Sequence, residues 1–201
     1  LALTADHGVA PVPEQTQKLG YGGRVSVKQV TDAIDAALDK QFGAEKWVLS
    51  FTYGNAYLDE TLAAKYKVSM EEVERVASQA VRSVPGVAEA LTHTQLLSGR
   101  LPANAITQSV ANGFFAARNG NLIVIPRPYY LLASIDAATH GSPYGYDTHV
   151  PVLFYGAGIA AGRYPSVSSP ADIAPTLASL LKLEIPSNAV GRILTEAIKT
   201  K

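Results

Sequence analysis

The sequence predicts an α/β fold, a layered sandwich that carries an α+β insertion. Three observations lead to this prediction. The chain opens on an apolar strand, residues 1–5, and regains a core-like rhythm in the continuous apolar run 150–156. A helix with a clear N-cap, Ser169, follows that second strand. Between the two ends, helices and short β-prone runs alternate, which is typical of an α+β region.

The division into domains follows from this pattern. Residues 1–8 and 135–201 are assigned to one part of an α/β core, and residues 9–134 to a cap-like insertion. Ligands of open α/β sheets usually bind outside the strand ends, so we expect the insertion above that edge. A chain rarely opens inside a core strand, and we therefore expect the sequence to be a piece of a longer protein.

The first predicted elements lie on either side of a proline-containing loop. Prolines at positions 11 and 13 end the regular structure that began with the opening strand. From Ser26 to Gly43, apolar residues recur at helical spacing, which predicts an amphipathic helix between a cap and a stop. Residues 47–58 then predict a hairpin around Tyr53-Gly54.

The rest of the insertion is also read from caps and spacing. Ser69 and Glu72 predict a capping box at the start of a helix that ends at Pro85-Gly86. A looser helix is predicted for about residues 105–115 and a strand for residues 122–125.

The last third of the chain predicts a strand and a helix. The run 150–156 is typical of a strand that is buried on both faces. Ser169 caps the helix, Pro170 takes its first position, and Asp172 lies where a carboxylate favours the exposed amides. The residues predicted to form the buried face are Ala174, Leu177, Leu180 and Leu181.

The composition excludes several classes of function. Lys plus Arg and Asp plus Glu both total 17 in 201 residues, so the chain lacks the basic surface that binds nucleic-acid polymers or anionic membranes. The chain has no cysteine, which excludes disulfides and thiol chemistry. No apolar run approaches the roughly 20 residues that cross a bilayer, so no membrane span is predicted.

The first candidate site is the pair Asp6-His7, placed where the opening strand ends and followed by Gly8. A carboxylate and an imidazole are ligands that suit zinc. The pair by itself is weak evidence, because an Asp at the end of a strand is often a turn or cap residue.

The second candidate site is the polar loop 139–149, which precedes the apolar run 150–156. It contains two of the four histidines in the chain, His140 and His149. Asp147 lies between them and is either an outer partner of a metal ligand or a turn cap. Tyr144 and Tyr146 line the mouth of a pocket or are unconstrained loop residues.

Four stretches together resemble the alkaline phosphatase superfamily, in particular the periplasmic phosphatases related to type I phosphodiesterases and nucleotide pyrophosphatases. They are residues 4–14, 140–156, 169–178 and 191–194. The resemblance implies that Asp6 and His7 bind one zinc ion and that His140, in a His-Gly pair, binds the other. His149 and Asp147 are each either an alternative ligand or an outer partner that orients the site.

The resemblance also implies a function. It indicates that the chain is the C-terminal portion of a protein with an alkaline-phosphatase-like fold. That protein is expected to be a phosphomonoesterase that uses two zinc ions, acts on a small phosphate ester and is periplasmic or secreted. Its Thr or Ser nucleophile is expected before Leu1, in an N-terminal remainder that this chain needs as a partner. The chain alone is therefore expected to bind zinc weakly, to be metal-free as isolated or nearly so, and to be inactive. A phosphodiesterase or nucleotide pyrophosphatase is the alternative enzyme, and a non-catalytic α/β binding module is the alternative of another class.

Overall fold

The computed structural model describes residues 1–133 and 137–199, which fall into two compact units. The smaller unit consists of Leu1–Gly8 and His149–Lys201, and the larger unit of Val9–Thr148. The predicted boundary at residue 135 lies outside the described residues. The loop 137–148, which the sequence assigned to the core, belongs to the larger unit. The division into a catalytic core and a cap stays a prediction.

The longest helices and strands lie in the larger unit. The strands are β1 (Ala2–Leu3), β2 (Gly23–Val25), β3 (Val48–Thr52), β4 (Asn55–Leu58), β5 (Val87–Thr92), β6 (Leu122–Pro126), β7 (Tyr130–Leu132) and β8 (Leu153–Phe154). The helices are α1 (Pro13–Lys18), α2 (Val27–Phe42), α3 (Glu60–Tyr66), α4 (Met70–Arg82), α5 (His93–Ser98), α6 (Ala105–Gly113), α7 (Gly145–Thr148) and α8 (Ile173–Leu181). Two 3-10 turns, Pro170–Asp172 and Thr195–Ala197, complete the list.

The larger unit is built on a four-stranded antiparallel sheet in the order β3-β4-β6-β5. Helices α2 and α4 pack against each other, and α4 also packs on β5. Strands β2 and β7 form a separate parallel pair. The apolar face predicted for α2 is confirmed, since Val30, Ile34 and Leu38 are fully buried.

Local signals in the larger unit mostly work as predicted. Ser26 and Gln29 form a capping box at the start of α2, and Gly43 follows its last residue. The hairpin β3–β4 turns on Tyr53 and Gly54, both at positive φ, as two-residue hairpin turns of this kind require. Helix α4 has only half of its predicted capping box. Its Ser69 hydroxyl accepts the Glu72 amide, whereas the Glu72 side chain pairs with Arg75 at 2.6 Å.

Several elements of the larger unit carry no clear sequence signal. Helix α1 begins at Pro13, which occupies its first turn, where proline is tolerated because that amide has no helical partner. Helix α3 begins after Asp59, whose carboxylate accepts the Thr61 amide. Strand β5 follows directly after Gly86 and pairs with β6.

The smaller unit corrects two predictions. Only Leu153 and Phe154 of the run 150–156 pair as a strand, with β1. Leu153 is 56% exposed and Tyr155 78% exposed, so the prediction of a strand buried on both faces is wrong for this chain. The physical reason is that, among the described residues, only β1 pairs with β8, which leaves most of the apolar run without a covering layer.

The predicted cap at Ser169 is confirmed, but it opens a 3-10 turn, Pro170–Asp172, and helix α8 begins after that turn and buries a different face. Ser169 and Asp172 form a capping box around Pro170. Pro175, Thr176 and Ala178 are the buried residues, whereas Ala174 and Leu181 of the predicted face are exposed and Leu177 and Leu180 only half-buried. The Thr176 hydroxyl accepts the Leu194 amide at 3.0 Å, which ties this face to the chain after Gly191. Among the described residues, the helices are all too short or too polar to cross a bilayer.

Candidate metal centre

Asp6 and His7 lie in the turn that follows β1, in the smaller unit. The backbone amide of His7 donates to Oδ1 of Asp6 at 3.0 Å. The other carboxylate oxygen, Oδ2, lies 3.6 Å from Nε2 of the His7 ring. The turn therefore points one oxygen and one nitrogen of adjacent residues toward the same place.

The backbone also orients the His7 ring. Nδ1 lies 2.8 Å from the carbonyl oxygen of Gly8. Because a carbonyl oxygen only accepts, this contact requires the proton on Nδ1, and Nε2 then carries the lone pair of the neutral ring. A backbone carbonyl that accepts from one ring nitrogen is the usual partner of a histidine whose other nitrogen binds a metal ion.

The distance between the two side chains fits two ligands of one zinc ion. With zinc bonds of about 2.0–2.2 Å in tetrahedral geometry, two ligand atoms lie roughly 3.3–3.5 Å apart. The observed 3.6 Å between Oδ2 and Nε2 is close to that separation. The Asp6 side chain is 88% exposed and that of His7 39% exposed, so an ion can reach both.

His140 lies in the larger unit, in the exposed loop before α7. Asp147, seven residues later in α7, is only 4% exposed. Its Oδ2 accepts the amide of Ser142 at 2.8 Å, which closes the loop between them. Its Oδ1 is buried and has no hydrogen-bond partner among the described residues. A buried carboxylate oxygen in this condition is suited to an ion, a water molecule or a donor from a partner.

Two tyrosines tie the same loop to the rest of the larger unit. The Tyr144 hydroxyl donates to the carbonyl of Pro126 at 2.8 Å, and the Tyr146 hydroxyl accepts the amide of Tyr129 at 3.1 Å. Burial raises the pKa of Tyr144, and the neighbouring Tyr146 adds to the shift. Both tyrosines are half-buried, so they are not the unconstrained loop residues that the sequence left open. The part played by Tyr129 has no signal in the sequence.

The predicted metal ligands thus belong to different units of the chain. Asp6 and His7 are adjacent in the smaller unit, and Asp147 belongs to the His140 loop of the larger unit. His149 is exposed and belongs to the smaller unit. Within residues 1–133 and 137–199, no group of three or more His, Asp or Glu side chains forms a metal cluster. The choice of His140 over His149 stays a prediction.

Comparison with known proteins relates the chain to a family of phosphatases. No family model matches the sequence. The chain is 32% identical, over 98% of its length, to the alkaline phosphatase PafA of Elizabethkingia meningoseptica. It is 30% identical, over 99% of its length, to a protein of Myroides odoratus named calcium-transporting ATPase. It is 29% identical, also over 99%, to the alkaline phosphatase PhoV of Synechococcus elongatus. These matches cover 36% to 37% of the relatives.

The structures agree with the sequences. The wild-type crystal structure of PafA matches 98% of this chain at a TM-score of 0.81 and 30% identity, and a variant of PafA matches at 0.82. The matched part covers 38% and 37% of those chains, so this chain spans little more than a third of its relatives. The α/β prediction and the resemblance to alkaline phosphatases are confirmed by these matches. In sequence and in fold, nearly the whole chain is thus similar to one part of the alkaline phosphatases.

Proposed function

We propose that the chain is part of a zinc-dependent phosphate-ester hydrolase of the phosphomonoesterase type. In this proposal Asp6 and His7 bind one zinc ion and His140 binds a second. The observation that carries the proposal is the geometry of the Asp6-His7 pair, with its 3.6 Å separation and its ring held by the Gly8 carbonyl. The phosphatase relatives support the reaction class.

The residues of this chain have defined tasks in such a site. Oδ2 of Asp6 and Nε2 of His7 hold one ion, and the Gly8 carbonyl keeps the ring proton on Nδ1. Zinc ions, when bound, activate a hydroxyl nucleophile and neutralise the charge that develops on the phosphoryl oxygens. The nucleophile, a Thr or Ser, and the remaining ligands come from the rest of a longer protein in this proposal.

An incomplete set of metal ligands leads to weak metal binding and no activity. A catalytic zinc normally has three protein ligands, whereas this chain offers two to one ion and one to the other. The chain also spans little more than a third of its relatives. We therefore propose that it binds zinc weakly and is inactive alone, and that its partner is the remainder of the same protein. Because of the resemblance to periplasmic alkaline phosphatases, we also propose that the longer protein is periplasmic or secreted.

Zinc titration of the chain tests the Asp6-His7 pair. The ring protons of the four histidines are followed by NMR as zinc is added. We expect the His7 resonances to respond first, and Asp6→Ala to weaken that response about tenfold or more because one of two ligands is lost. Asp32→Ala removes an exposed carboxylate of the larger unit that pairs with Lys28 and serves as the matched control. If His7 responds equally in wild type and Asp6→Ala, the proposed site is wrong.

An activity assay tests the rest of the proposal. We expect the chain with added zinc to hydrolyse an aryl phosphate no faster than buffer. Robust hydrolysis that Asp6→Ala abolishes would show that the chain is catalytically sufficient. In the longer protein, the ratio of aryl phosphate to bis-aryl phosphate turnover separates a monoesterase from a phosphodiesterase. Metal content near two zinc ions per chain separates both from a non-catalytic module.

A further inference from the structure

Tyr129 has an unusual backbone conformation. Its φ is +63°, in the left-handed region that a bulky residue adopts only when its surroundings impose it. Both of its backbone polar groups are engaged. Its amide donates to the Tyr146 hydroxyl at 3.1 Å, and its carbonyl accepts the amide of Gly23 at 3.2 Å. The strained residue is therefore fixed from two sides.

The neighbouring glycine shows how closely the chain passes Tyr129. A Cβ atom on Gly22 would lie 2.5 Å from the Tyr129 carbonyl oxygen and 2.9 Å from the Tyr129 Cβ. Only glycine fits at this approach, and Gly22 itself has a positive φ of 76°. The segment before β2 thus lies in direct contact with Tyr129.

Four aromatic rings continue this contact toward the His140 loop. We call them the tyrosine ladder: Tyr21, Tyr129, Tyr146 and Tyr144. Successive ring centroids are 5.1, 5.0 and 5.7 Å apart, and the first pair meets edge to face. Such pairs stabilise each other beyond simple burial. The ladder runs from the segment before β2 to helix α7.

The last two members of the ladder belong to the segment that carries His140. Tyr144 donates to Pro126 at the end of β6, and Tyr146 accepts from Tyr129 at the start of β7. Asp147 closes the same segment on Ser142, two residues after His140. The segment is thus closed on itself and fastened to the β6–β7 turn by two phenol hydroxyls.

We propose that the tyrosine ladder positions His140 for metal binding, with Tyr144 and Tyr146 as the positioning residues. This inference rests on the proposed function, because it takes His140 to be a metal ligand. The anchoring of the loop, however, can be measured by amide exchange without any metal. Residues that orient a ligand commonly change metal affinity by about 10- to 100-fold when they are lost.

Tyr146→Phe is the first test because it removes one hydroxyl and keeps the ring. The Tyr129 amide then loses its acceptor. We expect amide exchange at Tyr129 and Ser142 to rise about tenfold or more, as in local opening. In a zinc titration followed by ring-proton NMR, we expect the His140 response to weaken about tenfold. The response of His93, whose ring contacts Phe114 in the same unit, should not change.

The controls separate positioning from general stability. Tyr57→Phe removes a phenol hydroxyl that donates to a backbone carbonyl, that of Arg118 at 2.9 Å, as the Tyr144 hydroxyl donates to Pro126. It should leave the amide exchange at Tyr129 and Ser142 and the zinc response of His140 unchanged. Tyr144→Phe is the second variant, in case Tyr146→Phe does not fold. If the folded Tyr146→Phe and Tyr144→Phe variants keep the wild-type amide exchange at Tyr129 and Ser142 and the wild-type zinc response of His140, the inference is wrong. If the His140 resonance of the wild-type chain does not respond to zinc, the proposed function is wrong instead. Amide exchange still tests whether the tyrosines anchor the loop.

Discussion

The two units of the chain differ in how completely they bury their apolar side chains. The larger unit has a closed core in which Trp47, Ile34, Leu38 and Leu122 are fully buried. In the described part of the smaller unit, the buried apolar residues are only Pro175, Ala178, Leu194 and Ala197. Its exposed large apolar residues are Leu1, Leu3, Leu153, Tyr155, Tyr164, Val167, Leu181, Leu183, Ile185 and Val190.

This difference indicates which unit is stable by itself. Burial of apolar surface is the main favourable contribution to folding, and the larger unit supplies it from its own residues. Exposed apolar surface on this scale usually marks a region that another polypeptide covers. We therefore expect the larger unit to determine the stability of the chain, and the smaller unit to depend on the proposed remainder of the protein.

The largest expected effect is that of Trp47→Ala in the larger unit. The Trp47 ring lies 5.6 Å from both Phe42 and Tyr66, and its indole N–H donates to the Gly43 carbonyl. Because the substitution leaves a cavity in a closed core, we expect a loss of about 3–5 kcal/mol in the free energy of unfolding. Urea unfolding followed by circular dichroism measures it.

The matched variant in the smaller unit is Tyr155→Ala, which removes another large aromatic side chain. Since Tyr155 is mostly exposed, we expect a change within about 0.5 kcal/mol. Similar losses for the two variants would contradict the difference between the units.

A smaller effect is expected for Gly191→Ala, which tests the best-packed part of the smaller unit. A Cβ at this position would lie 2.1 Å from the Ala171 carbonyl oxygen and 2.7 Å from the Asp172 amide. We expect this clash to break the 2.8 Å hydrogen bond that the Arg192 amide donates to the Asp172 carboxylate. We expect the amides of Ser169 and Arg192 to lose protection by about 1–3 kcal/mol, as in other overpacked sites.

The control for Gly191→Ala is Gly113→Ala at the end of α6. A Cβ there meets nothing within 4 Å, so this change should be neutral or slightly stabilising. Unchanged exchange at Ser169 and Arg192 in Gly191→Ala would show that the smaller unit has no fixed structure to disturb.

The smallest effect is expected for Leu153→Ser on the exposed side of β8. In the chain itself we expect less than about 0.5 kcal/mol, because little apolar surface is lost from the core. In a mixture with the proposed remainder of the protein, expressed separately, the same change should weaken association. Equal association of wild type and Leu153→Ser would show that this surface is not the one that the remainder covers.

Signals in the sequence were reliable where they act locally. The Ser26 cap and the Tyr53-Gly54 turn need only neighbouring residues, and the structure confirms both. The face of α8 was predicted from spacing alone, and the prediction was wrong because the buried side depends on which elements cover the helix. The strand predicted for residues 150–156 failed for the same reason, since among the described residues only β1 pairs with the two-residue strand that forms there.

The candidate site divides in the same way. The Asp6-His7 pair was visible because its two residues are adjacent and follow a strand. The anchoring of the His140 loop was not, because the conformation of Tyr129 depends on Gly22, Gly23 and Tyr146, which are distant in sequence. No pattern of spacing encodes such contacts.

The raised pKa of the Tyr144 phenol has a consequence for work in alkaline solution. Only the protonated phenol can donate to the Pro126 carbonyl, and burial keeps the proton on Tyr144 after an unfolded tyrosine has lost its own. The fastening of the loop is fully present below the ordinary tyrosine value near 10 and is lost as the pH rises through the higher folded pKa. This attachment of the loop that carries His140 therefore persists in mildly basic solution, because the pKa of Tyr144 lies above that of an unfolded tyrosine.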